Sequence, residues 1–456
     1  MFSKTKYLNR EVVFYMLKEV PVVQELNELD KKHFIHPTSS ISQQQENGPS
    51  FIFTEGKGIY LTDITGKKVI DGMSSLWNVN IGHGREELAK VAQEQMSKLA
   101  FSSCFSTFSN EPAIRLATKL ASIAPGDLNS VFFTSGGSES NDTVIKLARH
   151  YWILKGQSNR QKIISRSKSY HGVAMGATSA TGLKPFRDFT NSIAPDFYHV
   201  EGSSIEALLE VIEQEGPETI AAFITEPIQG AGGVNIAPSG YFQEVRKICD
   251  QYCILMITDE VITGFGRTGK LFGIEHYGVT PDMMCFAKGV TSGYSQLGGV
   301  IISEKVYKDF INLSNGTLLH GYTYSGHPTA CSVALKNIEI IERENLVENS
   351  RLMGEEMLKG FKYLQEKHEI VGDVRALGLI GGMQIVKDKK TGEGFEIPIS
   401  PKLVAEAAKR GLIIRPVTFD QDTLVFAPPL IINKEEMETM MDILDESLTA
   451  VEQEIL

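Results

Sequence analysis

Between Val131 and Ile302, short apolar runs recur, each followed by a longer amphipathic stretch, and this alternation limits the fold more than any other feature. The runs are Ser130–Thr134, Lys162–Ser165, Thr219–Thr225, Ile254–Thr258, Met283–Ala287 and Gly299–Ile302. Each has strand length and is too short for an isolated helix. Strands that alternate with helices build a mostly parallel sheet covered on both faces, so the expected fold class is α/β. The flanks differ. FIFTEGKGIYLTDITGKKVIDG (51–72) has two β-rich runs with glycine turns and predicts a small antiparallel sheet. The C-terminal part predicts helices at Val333–Glu342, Arg351–Glu366, Pro401–Lys409 and Lys434–Glu454, the last capped by Asn433. Between them lie a strand-like GLIGGMQIV (378–386) and an extended LIIRPVTFDQDTLVFAPPLII (412–432). We therefore expect an N-terminal helical arm and part of a small domain over 1–85. A large domain follows over 86–335, and the C-terminal part of the small α+β domain over 336–456.

Length and charge narrow the function. At 456 residues the chain can hold two or three domains with substantial cores. A net charge of -11 and a pI near 5.5 argue against a nucleic-acid partner. The first twenty residues contain only the apolar run Val12–Leu17, which predicts neither a signal peptide nor a membrane span, so a cytoplasmic protein is expected. The five cysteines are scattered, with no Cys-x-x-Cys pair and no histidine at zinc-like spacing. All five read as reduced packing residues, and no metal site is expected.

The chemistry gathers where the runs end. In an open α/β sheet, ligands bind outside the carboxyl ends of the strands. The first run passes into TSGGSESND, where Gly137 and Ser138 open a helix whose free N–H groups and positive dipole suit a phosphate. The second ends in SYHG, with Tyr170 and His171 placed to present a flat ring. Glu226 follows the third and is fixed there by Pro227, Asp259 follows the fourth, and Lys288 the fifth. Singly, each is an ordinary strand exit facing water. Jointly they suit a flat heteroaromatic phosphate whose ring nitrogen takes a carboxylate and whose aldehyde takes a lysine, which describes pyridoxal 5′-phosphate. Asp259 would keep the ring nitrogen protonated. Lys288 would hold the aldehyde and, once displaced by substrate, act as general acid and base. The TSGGSESND turn carries neither a Gly-x-Gly-x-x-Gly fingerprint nor a Walker lysine, so it does not support a nucleotide-binding alternative.

These motifs resemble the class III (ω-type) aminotransferases of the fold-type I pyridoxal-phosphate enzymes, from about Trp77 almost to the C-terminus. TDEVITGFGRTG and FAKGVTSGY resemble the family's aspartate and lysine signatures. The resemblance implies that Gly137 and Ser138 bind phosphate, Tyr170 and Val261 take the two ring faces, and Glu226 holds the cofactor edge. It further implies a homodimer with shared active sites, dimers pairing into tetramers being left open. In it, Thr323 of HGYTYSGHP would reach the other subunit's cofactor. Arg415 matches a mobile arginine that grips the keto-acid carboxylate, with Trp77 and Ala231 also on the substrate side. Relatives acting on ornithine or γ-aminobutyrate carry an acid where this chain has Ala231, and many have proline where it has Gln296. Ala231 favours the branch that holds pyruvate-dependent ω-transaminases and diaminopelargonate aminotransferase, and the Leu-Trp of SLWNVNIGHG resembles the former. The expected reaction is ping-pong transfer of an amino group from a primary amine or ω-amino acid to a keto acid, with pyruvate as the acceptor. The alternatives are the adenosylmethionine-8-amino-7-oxononanoate aminotransferase of biotin synthesis and a non-catalytic cofactor-binding protein.

Overall fold

The computed structural model describes residues 20–190, 192–314 and 316–455. The six expected strands form, at Leu128–Thr134 (β1), Lys162–Arg166 (β2), Ile220–Thr225 (β4), Leu255–Asp259 (β5), Met283–Phe286 (β6) and Gly298–Ser303 (β7). A further strand, Phe197–Val200 (β3), was not expected, and it completes a seven-stranded sheet of order β1-β7-β6-β5-β4-β2-β3. All its neighbours pair in parallel except β7, which runs antiparallel to both β6 and β1. Every residue of β4, β5, β6 and β7 is buried, as a sheet covered on both faces requires. The helix Gly137–Leu154 covers one face by burying Val144, Ile145, Leu147, Ala148, Tyr151 and Trp152, a stripe at helical spacing.

Two four-stranded sheets flank this core. The first has the order Phe53–Lys57, Tyr60–Asp63, Lys68–Asp71 and Leu412–Ile413. Its first three strands are antiparallel neighbours, and the fourth joins Lys68–Asp71 in parallel, with Leu412 opposite Ile70 and Ile413 opposite Asp71. Segments more than three hundred residues apart thus share one sheet. The other, Val371–Ala376, Gly381–Ile385, Thr423–Phe426 and Arg415–Val417, is antiparallel throughout.

The expected C-terminal helices form at Pro328–Arg343, Leu346–Lys367, Ser400–Lys409 and Lys434–Ile455. Asn433 caps the last: its Oδ1 accepts the Glu436 N–H at 2.9 Å, and Glu436 Oε2 accepts the Asn433 N–H at 3.1 Å, a reciprocal capping box. Of the N-terminal arm, Val20–His33 is helical, and residues 1–19 lie outside the described residues. The cysteine expectation needs correction. Cys249, Cys285 and Cys331 are buried, but Cys253 is exposed, because it ends the helix Tyr241–Tyr252 in a left-handed conformation (φ 53°) that turns its side chain outward.

Candidate active site

A cavity of about 760 Å³ opens at the carboxyl ends of β1, β2, β4, β5 and β6. Gly137, Ser138, Tyr170, Glu226, Asp259, Val261 and Lys288 line it, and so do Trp77, Ala231 and Arg415. Strands of one direction deliver Gly137, Ser138, Tyr170, Glu226, Asp259, Val261 and Lys288 from distant parts of the sequence to one edge, while Trp77 and Arg415 come from the turn Ser74–Trp77 and the flanking strand Arg415–Val417. Thr323 is the exception: it is exposed and does not line this cavity.

Asp259 is 3% exposed and closely held. Its Oδ1 accepts the Val261 N–H at 3.0 Å, and its Oδ2 accepts from the Asn141 side-chain amide at 2.7 Å. His171 Nδ1 lies 2.8 Å from the same Oδ2, which orients that ring N–H toward the carboxylate. His171 Nε2 is buried with no partner among the described residues. Sequence reading took His171 as part of a flat aromatic surface and missed Asn141. The signal for Asn141 was its spacing: three residues beyond Ser138 on one helix, it shares that residue's face.

Lys288 leaves β6 with φ 47°, a left-handed conformation uncommon outside glycine. It keeps some exposed surface where it lines the cavity, yet the protein around it desolvates the ammonium and lowers its pKa to about 8. Asp259 and Glu226 oppose this shift, and Arg415 reinforces it. Glu226 is buried; Oε1 accepts the Tyr170 N–H at 2.9 Å and Oε2 the Gly230 N–H at 3.1 Å. Burial lifts its pKa to about 7. It thereby ties the Tyr170 segment to the loop carrying Ala231.

At the helix end, Ser138 Oγ accepts the Val173 N–H at 3.1 Å. The first-turn N–H groups there lack intrahelical acceptors. A Cβ on Gly172, whose φ is +119°, would lie 2.4 Å from Ser138 Oγ, and one on Gly137 would lie 2.8 Å from Val261 Cγ1. Both positions are therefore closed to side chains, and the bare backbone forms the floor of a cradle. An anion site, a paired carboxylate and a desolvated amine around one apolar slot fit pyridoxal phosphate.

The substrate side is aromatic. The Trp77 ring lies 5.7 Å from Lys288 Nζ and 5.4 Å from Arg415 Cζ. Trp77 ends a short turn, Ser74–Trp77, whose backbone departs from helical angles, and is 4% exposed. Tyr170, Phe186 and Phe419 continue the wall, with centroids 5.2 and 5.5 Å apart in edge-on contacts. Sequence reading missed both phenylalanines, which come from segments with no motif.

Comparison with known proteins places this geometry. Residues 41–448 match the family model for class-III aminotransferases. The chain is 39% identical to the putrescine–pyruvate aminotransferase of Pseudomonas aeruginosa, over 94% of this chain and 97% of that one. A crystal structure of a transaminase from the marine bacterium Virgibacillus is 54% identical and superposes with a TM-score of 0.94, covering 95% of this chain and all of that one. The ω-transaminase of Pseudomonas jessenii, solved in complex with PMP, is 36% identical with a TM-score of 0.91, covering 94% and 98%. With the fold, the strand-end constellation and these likenesses in agreement, the chain belongs to the class-III aminotransferases, a family of pyridoxal-phosphate-dependent transferases.

Proposed function

We propose that the protein moves an amino group from a primary amine or ω-amino acid to pyruvate in two half-reactions at this one site. The observation that carries the substrate assignment is the placement of Lys288 and Arg415 against the same Trp77 ring. One cation is desolvated enough to move a proton, and the other suits a carboxylate. Ala231 in the same wall brings no acid to neutralise Arg415 when the carboxylate is absent. The cofactor, when bound, supplies the electron sink that acidifies the substrate Cα–H.

The chain's own groups do the rest. Gly137 and Ser138 would hold the phosphate through backbone N–H groups. Tyr170 and Val261 would offer the ring an aromatic and an apolar face. Asp259 would keep the ring nitrogen protonated, its carboxylate held by Asn141 and His171. Lys288 Nζ takes the Cα proton and returns it, a role its lowered pKa suits near neutral pH. Glu226 positions neighbours through two N–H groups and touches no reacting atom. Arg415 grips the keto-acid carboxylate through paired N–H donors and withdraws for an amine that lacks one.

A second copy of the chain completes the site in this reading. The exposed side chains Phe101, Phe105, Phe108, Leu318, Leu319 and Tyr324 form apolar surface of a kind that monomers seldom leave to water. Thr323 lies beside Tyr324, suited to reach the cofactor of the partner. We also assign residues 86–335 to a large cofactor-binding domain and 1–85 with 336–456 to a small one, a division supported by the shared Lys68–Asp71 and Leu412–Ile413 strands.

The test is a panel of amine donors against pyruvate, read by the visible absorbance of the cofactor and by alanine formation. Turnover with simple amines that vanishes in Lys288→Ala is expected. Turnover retained in that variant would overturn the mechanism. Amination by S-adenosylmethionine alone would move the assignment to the biotin-pathway reaction.

A further inference from the structure

The Trp77 wall is held by buried charges that the reaction does not use. Ser74, Ser75 and Trp77 have φ of 46°, 56° and 58°. Three non-glycine residues of one short turn thus sit in the left-handed region, an arrangement that persists only where the surroundings over-determine it.

Two groups impose it. Asp71, fully buried at the end of its strand, accepts the Met73 N–H at 3.2 Å and the Ser75 N–H at 2.8 Å, and lies 2.8 Å from His83 Nε2. Arg267, also fully buried, donates from Nη1 to the carbonyls of Leu379 and Pro428 at 2.8 and 2.5 Å. Its Nη2 donates to Ser74 Oγ and Asn80 Oδ1, both at 2.9 Å. Ser74 Oγ donates onward to the Ala427 carbonyl at 2.7 Å, and the Asn80 amide donates back to the Phe265 carbonyl at 2.9 Å. Asp71 is the carboxylate whose field offsets the guanidinium.

The same turn touches the substrate arginine's strand. Asp71 is in register with Ile413, and a Cβ on Gly72 would lie 2.7 Å from the Ile413 carbonyl oxygen. Trp77 and Arg415 are therefore carried by segments in backbone contact, and the guanidinium that clamps the Trp77 turn comes from the loop after Asp259.

We propose that Arg267 and Asp71 are positioning residues that hold the Ser74–Trp77 turn in its strained form and so fix the wall that selects the amine. They touch no reacting atom; they act through Trp77. The kinetic part of this proposal rests on the transaminase reading, and the spectroscopic part does not.

The chain has two tryptophans, so Trp152→Phe leaves Trp77 as the sole reporter. In that background, holoenzyme carrying Ser74→Ala, Arg267→Lys or Asp71→Asn is compared with its parent. The readouts are Trp77 emission, acrylamide quenching, the cofactor absorbance band, and kcat and KM for a small aliphatic amine and a bulky arylalkylamine. A displaced Trp77 should be quenched more readily. KM for the arylalkylamine should change roughly tenfold while the small amine and the cofactor band change little, since about 1 Å of misplacement can cost up to a hundredfold. Ser74→Ala removes one hydroxyl and keeps the test decisive if the charge variants do not fold. Unchanged quenching and an unchanged ratio between the two amines, in folded variants, would overturn the proposal. A parent without amine turnover whose Trp77 nonetheless moves in the variants would remove the transaminase reading and leave the positioning role standing.

Discussion

The lowered pKa of Lys288 makes cofactor loading a direct test of the site. The amine must be neutral to attack the aldehyde carbon. With the ordinary value of 10.5, roughly one lysine in three thousand is neutral at pH 7, whereas a pKa of about 8 leaves about a tenth neutral. The rate at which apo-protein takes up pyridoxal phosphate should therefore rise about tenfold from pH 7 to pH 9 and then level. Stopped-flow absorbance between pH 6.5 and 10 reads this. The causes give the signs for variants. Burial lowers the pKa, Asp259 and Glu226 raise it, and Arg415 lowers it. Asp259→Asn should move the midpoint below that of the parent, and Arg415→Ala should move it above. A rate that climbs without levelling through pH 10 would show that Lys288 is not desolvated and would refute the reasoning.

Three further outcomes follow from the geometry. Arg415→Ala removes a bidentate charge-assisted contact of about 2–3 kcal/mol, so kcat/KM for pyruvate should fall roughly a hundredfold while a carboxylate-free amine changes little; equal losses in the two half-reactions would exclude the switch role. Asn141→Ala strips one donor from Asp259, and cofactor affinity measured by equilibrium dialysis should weaken about tenfold, for about 1.5 kcal/mol; unaltered affinity would count against a positioned carboxylate. Light scattering should give at least twice the chain mass, and a monomer with full activity would contradict a site shared between subunits.

Much of this site was legible in the sequence because its chemistry sits at strand ends. An apolar run that stops at Asp259 or Lys288 states both the strand and its exit, and parallel strands bring those exits to one edge. Direction was not legible: the apolar pattern of Gly298–Ser303 is the same whether the strand runs parallel or antiparallel. The edge strand Phe197–Val200 escaped because only Val200 of its four residues is fully buried, so it lacks the continuous apolar run of the central strands. The short Leu412–Ile413 strand pairs across more than three hundred residues, a contact no local pattern encodes. Asn141 and His171 stand within the motifs TSGGSESND and SYHG, but their convergence on one carboxylate oxygen depends on helix rotation and on the loop after β2. The Arg267 clamp was hidden because two of its four partners are backbone carbonyls, which every residue possesses, and the other two, Ser74 and Asn80, lie far away in the sequence. Phe186 reaches the cavity from the five-residue helix Lys184–Asp188 and Phe419 from a loop, segments too short or irregular for periodicity to carry information.

The central claim is that the Lys288 amine is the group that meets the cofactor. Borohydride reduction of the holoprotein followed by peptide mapping tests it most directly. The account predicts a single pyridoxyl label, on the peptide containing Lys288, and no label in Lys288→Ala. A label on any other lysine, or an unchanged label in that variant, would contradict it.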